Sequence, residues 1–190
     1  MPTPSPQRVR IIGGRFRGRV IRFPKSTTSL RPTPDRVRET LFNWLGQDLH
    51  DLTVLDLYAG SGALALESLS RGAARAVAVD RDPALVRAVE ATAAEFGAEG
   101  LEAHAGLAKS FLQRESRRFD VIFLDPPFAT DEWAWLLPAC AARLAGGGAL
   151  YAEAPRLLDP PPELTVIRHA RAGQVHYHLL RHSDPPLECP

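Results

Sequence analysis

The chain has 190 residues, 45% of them hydrophobic and 24% charged, which suits one soluble globular domain with room for a small appendage. No apolar run approaches the roughly 18 residues of a membrane span. The opening Met1-Pro-Thr-Pro-Ser-Pro lacks the apolar stretch of a secretory signal, so the cytoplasm is the expected location. Two cysteines form neither a disulfide framework nor a metal-ligand spacing. Cys140 reads as a small buried hydrophobe and Cys189 lies on a proline-rich tail.

The net charge of +1 conceals an asymmetry. Residues 1–50 hold ten Arg/Lys against three acids, a net +7, and residues 51–190 hold 13 against 19, a net −6. Nine of the ten N-terminal cations are Arg, the side chain whose planar fork matches a phosphate. A basic arm on an acidic body predicts a polyanionic partner, with nucleic acid first.

Residues 1–7 are expected to be disordered. "VRIIGGRFRGRVIRF" (Val9–Phe23) predicts two short strands around Gly13-Gly14. "RPTPDRVRETLFNWLGQDL" predicts a helix with Thr33 as N-cap and Pro34 in its first turn, and Val37, Leu41, Trp44 and Leu45 give it one apolar face. From Leu52 onward strands and helices alternate. "TVLDLYAG", "ARAVAVD", the weaker "LEAHAG", "FDVIFLD" and "GGGALYAEA" read as strands, with Gly146–Ala149 as a helix-to-strand turn. Helices are expected over "GALALESLSRG", "PALVRAVEATAAEFG" (capped by Asp82), "AKSFLQRE" and about 131–143. Continuously apolar strands alternating with helices imply an α/β fold with a parallel sheet covered on both faces. After Pro160-Pro161-Pro162, "ELTVIRHAR" and "QVHYHLLRH" predict an antiparallel hairpin around Gly173 at the sheet edge. The resulting division is a basic hairpin-and-helix extension over 1–50 and a second domain over 51–184.

"VLDLYAGSGALALE" places Gly60-Ser61-Gly62 between a strand and a helix. Gly60, Gly62 and Ala65 satisfy the dinucleotide-binding pattern G-x-G-x-x-G/A. Asp80, 18 residues after Gly62, suits both hydroxyls of a ribose, in NAD or in S-adenosylmethionine. Asp56 decides between them. A carboxylate four residues before Gly60 repels a pyrophosphate and attracts a sulfonium and an ammonium. Ala59 and Arg81 flank these positions and join Asp56, Gly60, Gly62 and Asp80 in the expected cofactor site. The adenine falls near Leu107 and Ala108, which offer only backbone groups and apolar packing.

Asp125-Pro126-Pro127-Phe128 ends the fourth expected parallel strand at the ligand-binding edge of the sheet. Two prolines remove backbone donors, which leaves a carboxylate, carbonyls and one aromatic face. Such a corner accepts hydrogen bonds from the exocyclic amine of a nucleobase and stacks on its ring. Held N–H groups aim the nitrogen lone pair, and Asp125 stabilises the charge that develops on methyl transfer. The base must be exposed or flipped. His104, His169, His176 and His178 show no metal spacing, and Trp133 and Trp135 read as packing residues, with the substrate cleft as the alternative for Trp133.

Asp125–Phe128 fits the amino-methyltransferase motif [DNS]-P-P-[FYW]. With "RIIGGRFRGR", "LRPTPDRVRETLFNWL", "DLYAGSGALALESLSRGA" and "GQVHYHLL", the chain closely resembles the RsmD family of bacterial 16S rRNA guanine-N2 methyltransferases over roughly 8–182. The resemblance implies a Rossmann-like class I methyltransferase fold with a seven-stranded, mostly parallel sheet and S-adenosylmethionine as donor. It implies a guanine of 16S rRNA in the small ribosomal subunit, or an assembly intermediate, as target. In that scheme Asp125 orients the amine, Pro126 offers its carbonyl and Phe128 stacks. Arg31-Pro32-Thr33 helps to close the site, and Arg10, Arg15, Arg17, Arg19, Arg31 and Arg36 contact RNA phosphates. A monomer is the default expectation. The DPPF motif also serves adenine-N6 methyltransferases of DNA or RNA. A non-catalytic RNA-binding assembly factor and a dehydrogenase complete the alternatives.

Overall fold

A computed structural model of the chain describes residues 7–24, 33–129 and 131–183. The expectations for Arg31, Pro32 and Cys189 lie outside these residues, as does the expected disorder of residues 1–7 except at Gln7, which starts the first strand. The elements run β1 (Gln7–Arg10), β2 (Val20–Phe23), α1 (Asp35–Leu45), β3 (Thr53–Asp56), α2 (Ala63–Ser70), β4 (Arg75–Asp80) and α3 (Pro83–Phe96). They continue with β5 (Leu101–Ala105), α4 (Ala108–Arg114), β6 (Phe119–Leu124), α5 (Trp133–Ala141), β7 (Leu144–Ala154), β8 (Leu164–Ala172) and β9 (Val175–His182).

A seven-stranded sheet has the order β5-β4-β3-β6-β7-β9-β8. Strands β3 to β7 pair in parallel, and β9 runs antiparallel to both β7 and β8. This is the class I methyltransferase architecture, with the expected C-terminal hairpin at one edge. The chain builds outward from β3 to β5, then returns to place β6 on the other side of β3. The crevice at that reversal lies beyond the C-terminal ends of β3 and β6, where Asp56 and Asp125 stand.

The strands are apolar on both faces because both are covered. Val54, Val121, Phe123 and Tyr151 face a core shared with α1, α2, α3 and the β1–β2 hairpin. Leu55, Ile122, Leu124 and Leu150 face a second core shared with α4 and α5, where Cys140 is fully buried. Phe123 sits between Phe42 and Tyr151 in edge-on contacts, with centroids 6.3 and 6.2 Å away.

Two local expectations change. Pro34, rather than Thr33, occupies the N-cap of α1, and no side chain caps that helix. The Thr33 hydroxyl bonds Glu153 instead. The three glycines 146–148 do not form a turn between α5 and β7. They bulge out within β7, between the pairs Phe119–Leu144 and Val121–Ala149. Asp82 caps α3 as expected, its carboxylate accepting from the Ala84 N–H at 2.8 Å.

The N-terminal hairpin is bound to the main sheet through α2, all of whose residues are buried. Glu67 of α2, fully buried, accepts the Ile12 and Gly13 N–H groups at 2.9 and 2.7 Å. It also pairs with Arg71 at 2.9 Å and with the fully buried Arg38 at 3.4 Å. Arg38 in turn donates to the Arg10 carbonyl and to Asp35, both at 2.7 Å. Gly14, at φ +70°, lies so close that a Cβ there would sit 1.8 Å from the Ser70 carbonyl oxygen, which is why the turn must be glycine.

Candidate active site

The loop from β3 to α2 is held from two sides. The Ala59 N–H donates to the Val79 carbonyl at 2.9 Å and the Gly62 N–H to the Ala59 carbonyl at 2.7 Å. Gly60 and Gly62 take φ of +52° and +74°, the left-handed region that favours glycine. A Cβ on Gly62 would lie 2.6 Å from a Val89 methyl carbon, so this glycine also permits close packing of α2 on α3. Asp80 Oδ2 accepts the Gly60 N–H at 2.8 Å and Oδ1 accepts the Asp82 N–H at 2.9 Å. A carboxylate has about four lone-pair sites. Asp80 therefore orients the glycine loop and retains acceptor capacity for a ligand hydroxyl. Leu107, 61% exposed, precedes α4, and Ala108 is buried at its first position. Arg81 is exposed beside Asp80.

Carboxylates dominate the crevice. Asp56 is buried, and desolvation, then the charge of Asp80, pushes its pKa up to about 7, although it accepts bonds from the Ala65 and Tyr58 backbone. Asp125 is held well above the ordinary range by burial, then by Glu153 and Asp56. Glu153 is raised by burial, partly offset by bonds from Tyr151 and Thr33. A crevice whose acids resist ionisation together is stabilised by any cation that enters it. The sulfonium and ammonium of S-adenosylmethionine fit this charge pattern; a pyrophosphate does not.

The turn after β6 faces the same crevice. Pro126 is buried and Phe128 is 47% exposed, so the ring stands open for contact with a planar partner. Pro126, Pro127, Phe128, Trp133, Pro155 and Arg156 line a cavity of about 150 Å³. Trp133 is thus a core residue that also borders this cavity. The Tyr58 hydroxyl donates to Glu132 at 2.6 Å, which ties the glycine loop to the start of α5.

The family model described as "Conserved hypothetical protein 95" matches residues 9–181. Ribosomal RNA small subunit methyltransferase D of Escherichia coli is 40% identical over 177 residues, covering 90% of this chain and 88% of that protein. The Haemophilus influenzae protein of the same name is 35% identical over 179 residues, covering 90% and 92%. The solved structure of yhhF from Escherichia coli superposes with a TM-score of 0.84 at 36% identity, covering 94% of this chain and 100% of that one.

The chain belongs to the RsmD family. It carries that family's methyltransferase fold, and the sequence-predicted residues of its site fall into two groups. Asp56, Ala59, Gly60, Gly62, Asp80 and Asp125 converge where the strand order reverses, with Arg81 beside Asp80 and the turn Pro126-Pro127-Phe128 following directly. Leu107 and Ala108 border the end of β5.

The predicted RNA-contacting arginines are more dispersed. Arg10, Arg17 and Arg36 are exposed. Arg19 instead caps the C-terminus of α3, donating to the Phe96 and Glu95 carbonyls at 3.2 and 2.9 Å, with its guanidinium 4.0 Å above the Phe96 ring. Arg15 stacks at 4.4 Å on Phe16. Both have structural work on the hairpin, whatever else they contact.

The roles of Glu67, Arg38, Glu153 and Tyr151, and the Tyr58–Glu132 contact, were not legible in the sequence. Each is a polar residue inside an apolar run or beside one, and its partner is remote in the chain. The one available signal was the presence of Glu67 and Glu153 in segments otherwise fit for burial.

Proposed function

We propose that the protein transfers a methyl group from S-adenosylmethionine to the exocyclic N2 amine of a guanine in 16S rRNA, in the small ribosomal subunit or an intermediate of its assembly. The observation that carries this reading is the meeting of two chemistries in one crevice. An acceptor-only corner, Asp125-Pro126-Pro127-Phe128, stands beside a glycine loop lined by the carboxylates Asp56 and Asp80.

When bound, S-adenosylmethionine supplies a methyl group made electrophilic by its sulfonium. The carboxylate of Asp56 and the backbone of Ala59, Gly60 and Gly62 hold its methionine end. Asp80 holds the ribose with Arg81 alongside, and Leu107 and Ala108 border the adenine. Asp125 and the Pro126 carbonyl accept the two amine hydrogens, which fixes the nitrogen lone pair on the methyl carbon. Pro127 stiffens the turn, and Phe128 stacks on a base that is already unpaired or flipped. Residues 1–50 form the RNA-binding extension and 51–184 the methyltransferase domain. Arg10, Arg15, Arg17, Arg19, Arg31 and Arg36 contact RNA phosphates. The protein works as a cytoplasmic monomer; no helix among the described residues is long and apolar enough to cross a membrane.

The relatives' names support ribosomal RNA as the substrate. The deciding experiment incubates the protein with labelled S-adenosylmethionine and, in parallel, unmodified 30S subunits, naked 16S rRNA and DNA, followed by nucleoside analysis. The expected product is N2-methylguanosine from a ribosomal substrate. N6-methyladenosine from any of them overturns the base assignment and leaves the chemistry.

A further inference from the structure

Glu153 takes no part in the mechanism proposed for Asp125, yet its charge opposes the ionisation of Asp125 more than that of Asp56 does. The β6–β7 register pairs Leu124 with Ala152. The next position on each strand, Asp125 and Glu153, therefore brings two carboxylates side by side on one face. Glu153 is 5% exposed, and two hydroxyls hold it. The Tyr151 hydroxyl donates to Oε1 at 2.8 Å, and Thr33, at the entry to α1, bonds the same carboxyl group. A structural anion buried this deeply is ordinarily paired with a cation, as Glu67 is with Arg38 and Arg71. Among the described residues, the groups facing Glu153 are instead Tyr151 on its own strand, Tyr177 opposite it on β9, Asp125 beyond β6 and, farther off, Asp56 at the end of β3. From α1, Arg38 turns away to Asp35 and Glu67.

We propose that Glu153 is the positioning partner of Asp125: held by Tyr151 and Thr33, it shares with Asp125 the proton that the exocyclic amine sheds on methylation. This rests on the reading of Asp125 as the group that holds the amine. As the amine nitrogen bonds to the methyl carbon, the carbon–sulfur bonding pair stays with sulfur and the nitrogen becomes positively charged. It must then lose one proton. The positive charge on sulfur disappears in the same step, so the affinity of the paired carboxylates for a proton rises when the amine has one to give. The proton then leaves to solvent with product release. Adjacent carboxyl groups oppose each other's ionisation.

The test is Glu153→Gln, which keeps shape and removes the charge. The acid limb of the single-turnover rate against pH, set by protonation of Asp125, moves down by about one to two pH units in the variant. An acid limb at the wild-type pH overturns the proposal, whatever happens to the absolute rate. Where turnover is too slow to profile, calorimetry of S-adenosylmethionine binding in buffers of different ionisation enthalpy reads the same group. Wild type releases more protons on binding than Glu153→Gln; equal release overturns the proposal. Asp125→Ala separates the two levels. If that variant still methylates, the reading of Asp125 itself fails. If it is inactive while Glu153→Gln shows no shift, only the partnership fails.

Discussion

At the scale of single residues, the crevice trades stability for chemistry. Asp125 sits among other acids that oppose its ionisation. Asp125→Ala removes the side-chain acceptor at the reacting nitrogen, so methyl transfer falls by about 100-fold or more. The same change relieves repulsion, so the ligand-free variant melts at a higher temperature than wild type at pH 8. Rates on a ribosomal substrate and a thermal melt check the two halves. Gly62 is constrained differently. Its φ of +74° and the Val89 methyl 2.6 Å from an added Cβ make Gly62→Ala costly by about 1–3 kcal/mol, to be read by urea denaturation.

At the scale of elements, the β1–β2 hairpin and α2 act together. Ile12, Gly13, Arg38 and Arg71 all use the Glu67 carboxylate. Glu67→Ala removes an acceptor from the buried Arg38, from Arg71 and from two backbone donors, and lowers stability by about 3–5 kcal/mol, measured in equilibrium unfolding. The exposed arginines of the extension behave otherwise. Arg17→Ala combined with Arg36→Ala leaves the melting temperature unchanged. On the proposed role, it lowers the salt dependence of RNA binding by about one unit of log–log slope per arginine, seen in binding titrations over a range of salt. Arg19 caps α3, so Arg19→Ala would confound that comparison through lost stability and is the wrong probe.

At the scale of the whole molecule, the acidic crevice sets a pH dependence. Asp56 rises from 3.8 to about 7 on folding, so the folded state binds the proton more tightly than the unfolded chain. Stability is therefore highest below about pH 4 as far as this group is concerned. It falls as pH rises from there through 7, by about 4 kcal/mol for Asp56 alone. Asp125 and Glu153 are shifted in the same direction. The ligand-free protein should unfold at lower urea concentration at pH 8 than at pH 6. Saturating S-adenosylmethionine should narrow that gap, and Asp56→Asn should reduce the slope.

The strand–helix alternation, the glycine loop, the DPPF turn and the family were all legible along the chain. These are local patterns: apolar runs, positive-φ glycines, a proline stop, each readable within a few residues of chain. The sequence also placed Asp56, Asp80 and Asp125 at strand ends, which an α/β sheet brings to one edge. Contacts between distant segments emerge only in the folded chain. Thr33 looked like a helix cap and instead reaches Glu153, because the chain enters α1 over the end of β7. Arg15 and Arg19 looked like solvent-facing charge, and they pack on Phe16 and Phe96 because the hairpin lies across the C-terminus of α3. Glu67 and Glu153 looked like polar residues out of place in apolar segments. Each is buried because its partners arrive from other elements, and a buried carboxylate is defined by partners that periodicity along one element does not encode.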